Sequence, residues 1–148
     1  MASSSINSVS HTARILLVDD NSNGLLARKS VLEELGYQIS TASNVESALE
    51  IFRSGPFDLV ITDYRMPGMS GVDLIEKVRA QAPAISIILV SGFVDTLGLN
   101  EKSTGADVVI QKSANEVAHL VRSVSRLLRP RKPAGRQRTT VRTKRRAV

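Results

Sequence analysis

Five short apolar runs punctuate this chain, separated by polar segments with helical periodicity. Residues 15–18, 59–62, 85–90 and 108–110 are almost wholly Ile, Leu and Val, with little apolar–polar alternation. Strands of that composition are buried on both faces, as in a parallel sheet covered by helices. A weaker run over 37–41 completes the set. Leu25, Leu32 and Leu35 mark a first helix over 21–35, closed by Gly36. Val45, Ala48, Leu49 and Phe52 follow i, i+3, i+4, i+7 behind a Ser43–Glu46 capping box, and Gly55-Pro56 stops this second helix. A third starts near Ser70-Gly71 with Asp73 in its first turn, turns Leu74, Ile75 and Val78 inward, and ends before Pro83. The last opens on a Ser113–Glu116 capping box and carries Val117, Leu120, Val121, Val124, Leu127 and Leu128 as far as Pro130. Residues 93–104 hold Gly98 and an irregular apolar set, and the pattern for a fourth helix is weak there.

Alternation of strand and helix predicts right-handed crossovers, hence an α/β fold with an open, doubly wound, five-stranded parallel sheet. Ligands of such sheets bind outside the carboxyl ends of the strands. Polar residues stand at those ends: Asp19 and Asp20 after the first run, Asp63 after the third, Ser91 after the fourth and Lys112 after the fifth. Three acids and one Lys suit phosphoryl transfer to a carboxylate. Both partners in that reaction are anionic, so a divalent cation and a fixed ammonium must neutralise the approach. Two unit charges 4 Å apart repel by roughly 4 kcal/mol at an effective dielectric of about 20. Clustered carboxylates at 19, 20 and 63 therefore call for a cation, and the hard, oxygen-seeking Mg²⁺ (or Mn²⁺) fits better than a salt-bridge network.

The segments RILLVDDN, DLVITDYRMPGMSG, ILVSG and GADVVIQK, in this order, resemble the receiver domain of two-component response regulators. The likeness spans residues 13–128 and implies the flavodoxin-like (βα)5 receiver fold. It implies Asp63 as phosphoacceptor, Asp19, Asp20 and Asp63 with the backbone carbonyl of Arg65 as Mg²⁺ ligands, and Ser91 and Lys112 as binders of phosphoryl oxygens. It further implies a phosphohistidine donor on a sensor histidine kinase or phosphotransfer protein, small acyl phosphates as further donors, and a downstream target protein. Such a protein catalyses only its own phosphorylation and dephosphorylation. Two positions depart from the family pattern: Val109 stands where an aromatic switch residue is common, and Ser113 stands where Pro usually follows the Lys. A trans bond, or a strained cis one, must then place Lys112.

Composition adds a second theme. Net charge is +6, but nine Lys or Arg and no acid fall in residues 129–148, leaving −3 on the remainder. The tail, with Arg136, Arg138, Arg142, Lys144, Arg145 and Arg146, is too poor in apolar residues to offset its ordering entropy and is expected to be disordered. Its ordinary role is a solvated charge run, and its other one is salt-sensitive contact with nucleic acid. Residues 1–12 read as a flexible, serine-rich segment without the apolar stretch of a signal peptide, and no run reaches membrane-spanning length. With no cysteine to form disulfides, a cytoplasmic location without membrane contact is expected. A receiver-like module that binds partners without phosphorylation is a further alternative. A haloacid-dehalogenase-type phosphatase would need a second acid two residues after the nucleophile, where Arg65 stands.

Overall fold

A computed structural model describes residues 12–92 and 94–129. The basic tail positions Arg136, Arg138, Arg142, Lys144, Arg145 and Arg146 lie outside the described residues, as does the segment 1–11. The five apolar runs form β1 (Arg14–Val18), β2 (Gln38–Ala42), β3 (Leu59–Asp63), β4 (Ser86–Ser91) and β5 (Val108–Gln111). All neighbours pair in parallel, in the order β2-β1-β3-β4-β5. This is the flavodoxin-like order, whose chain reverses direction of travel between β1 and β3.

Alternate residues of each strand feed two cores. Ile15 and Leu17 join Leu59, Ile61, Ile88, Val90 and Ile110 beneath α1 (Ser22–Glu34) and α6 (Glu116–Leu127). Leu16 and Val18 join Val60, Ile87 and Leu89 beneath α2 (Val45–Arg53) and α3 (Gly71–Gln81). Helix α2 buries the four residues that its periodicity selects, Val45, Ala48, Leu49 and Phe52. Between β4 and β5 the weak pattern becomes two single-turn helices, α4 (Val94–Leu97) and α5 (Glu101–Thr104). They are separated at Gly98, whose φ of 65° no helix interior adopts.

Several local expectations are corrected. Helix α2 is capped by Asn44, whose side chain accepts from the Ser47 N–H at 2.7 Å, rather than by a Ser43–Glu46 box. No Ser113–Glu116 box opens α6: Asn115 holds the N-cap position without a side-chain bond, and Ser113 Oγ accepts from the Asn115 N–H. Among the described residues the one long-helix box is Ser70 with Asp73 at α3, where each side chain meets the other's backbone N–H. Leu35 is 54% exposed because it follows the last turn of α1 as the cap, and Val117 is 46% exposed. Strands β2 and β4 are each displaced by one residue from their predicted spans, so that β4 begins at Ser86 and includes Ser91.

Glycine at 71 sets how closely α3 approaches the sheet. Its N–H donates to Tyr64 O at 2.7 Å, and a Cβ there would collide with the carbonyl oxygen of Asp63 and press on Leu89 at 3.0 Å. Gly71→Ala is expected to destabilise the fold by about 1–3 kcal/mol through overpacking. Urea denaturation measures it, and a midpoint equal to wild type would contradict this account.

Candidate functional site

The parallel register delivers the polar residues to one rim. Val18 pairs with Thr62, and Asp63 with Val90, so the residues following β1 lie beside the last residue of β3. The ladder continues past β5, where the Lys112 N–H donates to Ser91 O at 2.9 Å. These strand ends open into a cleft of about 450 Å³ lined by Asp19, Asp20, Asp63, Arg65, Ser91 and Lys112, with Asn21, Met66, Pro67 and Gly92 completing the wall. Asp19, Asp20, Asp63, Arg65, Ser91 and Lys112 therefore stand together, whereas Val109 on β5 is not part of the cleft wall. Arg65 is exposed at the edge of the cleft, whereas Ser91 is 2% exposed at its floor.

Carboxylate oxygens of Asp19, Asp20 and Asp63 lie within 4.8 Å of one another. Asp19 and Asp63 are buried and Asp20 is exposed. Lys112 Nζ sits 2.7 Å from Asp63 Oδ1, and apart from that ammonium this buried oxygen accepts no hydrogen bond. The Lys112–Ser113 bond is trans, as are all peptide bonds among the described residues. Gln111 Nε2 donates to Gly92 O at 3.0 Å, tying β5 to the turn after Ser91.

A guanidinium that the periodicity did not reveal completes the electrostatics. Arg28, only 5% exposed, reaches from α1 to place NH1 2.7 Å from Asp19 Oδ2 and Nε 2.7 Å from Glu116 Oε2. Asp19 Oδ1 accepts from the Asn21 N–H at 2.9 Å. Gly24 leaves the room this needs, since a Cβ there would come within 3.0 Å of Asp19 Oδ2. The acids thus form ion pairs as well as a candidate metal site. The signal in the sequence was a charged residue at the inward position between Leu25 and Leu32, and Glu116, read as a cap, is its partner.

Burial is the largest influence on Asp63 and raises its pKa above the usual carboxylate value; the Lys112 hydrogen bond opposes this and the charge on Asp19 adds to it. Burial acts to lower the Arg28 pKa, but the bond and charge of Glu116, with the charges of Asp19 and Asp63, outweigh it and leave the value raised.

Residues 15–124 match the response regulator receiver domain family. The chain belongs to that family. Its receiver domain is 43% identical over 68 residues to the chemotaxis protein CheY of Pseudomonas aeruginosa, covering 45% of this chain and 55% of CheY. It is 33% identical over 120 residues to the probable transcriptional regulator ycf27 of Cyanidium caldarium, covering 79% of this chain and 48% of that protein. The chain spans less than half the length of ycf27 and 6% of the virulence sensor protein BvgS of Bordetella pertussis, another of its relatives. The crystal structure of Thermotoga maritima response regulator TrrA in complex with Mg(2+)-BeF superposes with a TM-score of 0.71 at 39% identity, covering 79% of this chain and all of TrrA. TrrA in complex with the histidine kinase ThkA gives 0.70, also at 39% identity, covering 79% of this chain and 99% of TrrA. Receiver domains are signalling domains, and the acid cluster of this one fits Mg²⁺ binding. Among the described residues no helix is long and apolar enough to cross a membrane.

The raised Asp63 pKa has a sign that can be checked. The native state holds that proton more tightly than the unfolded chain, so stability from this group is full below the unfolded value and is lost as pH rises through the native one. In chelator at neutral pH, Asp63→Asn is expected to melt above wild type, with the gap closing as pH falls into the carboxylate range. Calorimetry across that range checks it, and a neutral-pH wild type at least as stable as the variant would reverse the conclusion.

Proposed function

We propose that this receiver domain accepts a phosphoryl group on Asp63 from a phosphohistidine of a sensor histidine kinase or phosphotransfer protein, and signals through protein contacts. The observation that carries the reading is the buried Asp63 carboxylate, with one oxygen bonded only by Lys112 and two further acids within metal-sharing distance. Asp19, Asp20 and Asp63, with the Arg65 carbonyl, would hold Mg²⁺; Mn²⁺ is a substitute of the same ligand preference. When bound, the ion would supply positive charge that offsets the repulsion between the carboxylates and the incoming phosphoryl group.

The protein's own groups do the rest. An Asp63 oxygen attacks phosphorus, the P–N bond to the donor imidazole breaks with its electron pair passing to nitrogen, and the ring, already protonated on its other nitrogen, leaves as neutral imidazole. Lys112 neutralises a phosphoryl oxygen, and Ser91 donates its hydroxyl proton to another. Later attack of water on phosphorus breaks the new P–O bond, returning the carboxylate and releasing phosphate. Mg(2+)-BeF on TrrA, and the ThkA–TrrA pairing, support both the ion and the kind of donor. The setting is cytoplasmic, where a histidine kinase presents its phosphorylated domain.

Incubation with Mg²⁺ and acetyl phosphate is expected to add one phosphoryl mass to wild type and none to Asp63→Asn. An adduct on both, or on neither, in mass spectrometry would remove Asp63 as acceptor.

A second activity rests on charge. His119, Arg122, Arg126 and Arg129 line one exposed cleft along α6, and the sequence continues from there into the basic tail. Polyanion contact through this surface would be sequence-indifferent and weaken steeply with salt. Truncation after residue 129 is expected to lower duplex DNA affinity at least tenfold at low salt. Equal affinity of full-length and truncated chains in an anisotropy titration would dismiss the tail.

A further inference from the structure

We propose that Arg28 is the resident counter-cation of the acid cluster, a positioning residue that holds Asp19 before a divalent ion loads and then passes to Glu116. Cation occupancy is thereby linked to the start of α6. This inference rests on the reading of the site as a Mg²⁺-dependent phosphoacceptor.

Three observations carry it. Both oxygens of Asp19 are engaged, Oδ1 by the Asn21 N–H and Oδ2 by Arg28, so an ion that takes Asp19 meets a carboxylate whose charge the guanidinium already offsets and competes with it electrostatically. Arg28 cannot simply withdraw, because its side chain is 6% exposed and a buried cation without a partner is strongly destabilising. Glu116, at 16% exposure and already 2.7 Å from Nε, is the acceptor that keeps the guanidinium neutralised when Asp19 turns to the ion.

The two ends of the bridge then act in opposite directions. Removing Arg28 deletes the competitor, whereas removing the Glu116 charge leaves the guanidinium bound more firmly to Asp19. Titration calorimetry of MgCl₂ into the full chain reads both. Arg28→Met is expected to tighten Mg²⁺ binding about tenfold, the scale of one unit charge a few ångströms away, and Glu116→Gln to weaken it several-fold. A scaffold role would weaken binding in both variants; that result, or no change in either, overturns the proposal. Should Arg28→Met fail to fold, Glu116→Gln decides with the Arg28 Nε–H resonance in wild type. The proposal requires weaker binding in that variant and a resonance that moves on Mg²⁺ addition, and failure of either requirement overturns it. If wild type binds Mg²⁺ and is labelled by acetyl phosphate while these signs fail, only the role of Arg28 falls. If wild type takes up neither, the reading of the site falls with it.

Discussion

Mutual repulsion of carboxylates at the end of β1 and β3 is the constraint to which the surrounding structure answers. Asp19 and Asp63 are both almost fully buried, and Asp20 stands beside them with an oxygen within 4.8 Å. The sheet order forces this crowding, since β1 and β3 are neighbours at the point where the chain changes its direction of travel. Each compensating feature comes from a different element: Lys112 from beyond β5, Arg28 from α1, and the Asn21 N–H from the turn between β1 and α1. Gly24 and Gly71 add no charge but leave space, one beside the Asp19 carboxylate and the other beside the Asp63 backbone. A site able to hold a divalent ion and a phosphoryl group is thus one in which repulsion is balanced incompletely, with net negative charge left for a ligand to neutralise.

Legibility in the sequence followed the range of the interaction. Strands buried on both faces leave a composition that nothing else in a small α/β domain produces, so β1, β3, β4 and β5 were plain, as was the inward face of α2. The rim residues were readable for the same reason, because a polar residue that ends such a run lies at a carboxyl end. Caps were less certain. Ser43 and Asn44 are both good N-cap residues, and it is Asn44, extended at φ −155°, that stands immediately before the first turn. Arg28 and Glu116 were hardest, since 88 residues separate them and periodicity carries no pair information at that distance. Glu116 in a first helical turn looks like a helix-end charge until a buried guanidinium is found opposite it.

The segment from β4 to β5 shows how a weak helical pattern becomes ordered without a long helix. Single turns do not pay for their own nucleation. Here Asn100 and Ser103 cap α5 reciprocally, and Gly105 closes it in left-handed conformation. From α3, Arg79 donates to Gly105 O and Asp107, while Asp107 also accepts from the Ile87 N–H. Val109, on the edge strand, is half-buried against the α3-side core and gives its N–H to Glu101. Val109 brings neither an aromatic ring nor a polar tip to this edge of the sheet.

What remains connected to the acids is α6. Lys112, paired with Asp63, leaves β5 only four residues before Glu116 begins that helix, and Glu116 holds the arginine that pairs with Asp19. Both buried acids are therefore tied, through one cation each, to the same short stretch of chain. A change of charge at either carboxylate alters the partners available to Lys112 or Arg28, and both alterations converge on the first turn of α6. That helix also carries the exposed Arg122 and Arg126, with Arg129 just beyond its end. In this receiver domain the helix tied to both buried acids is thus also one that carries exposed positive charge, at Arg122 and Arg126.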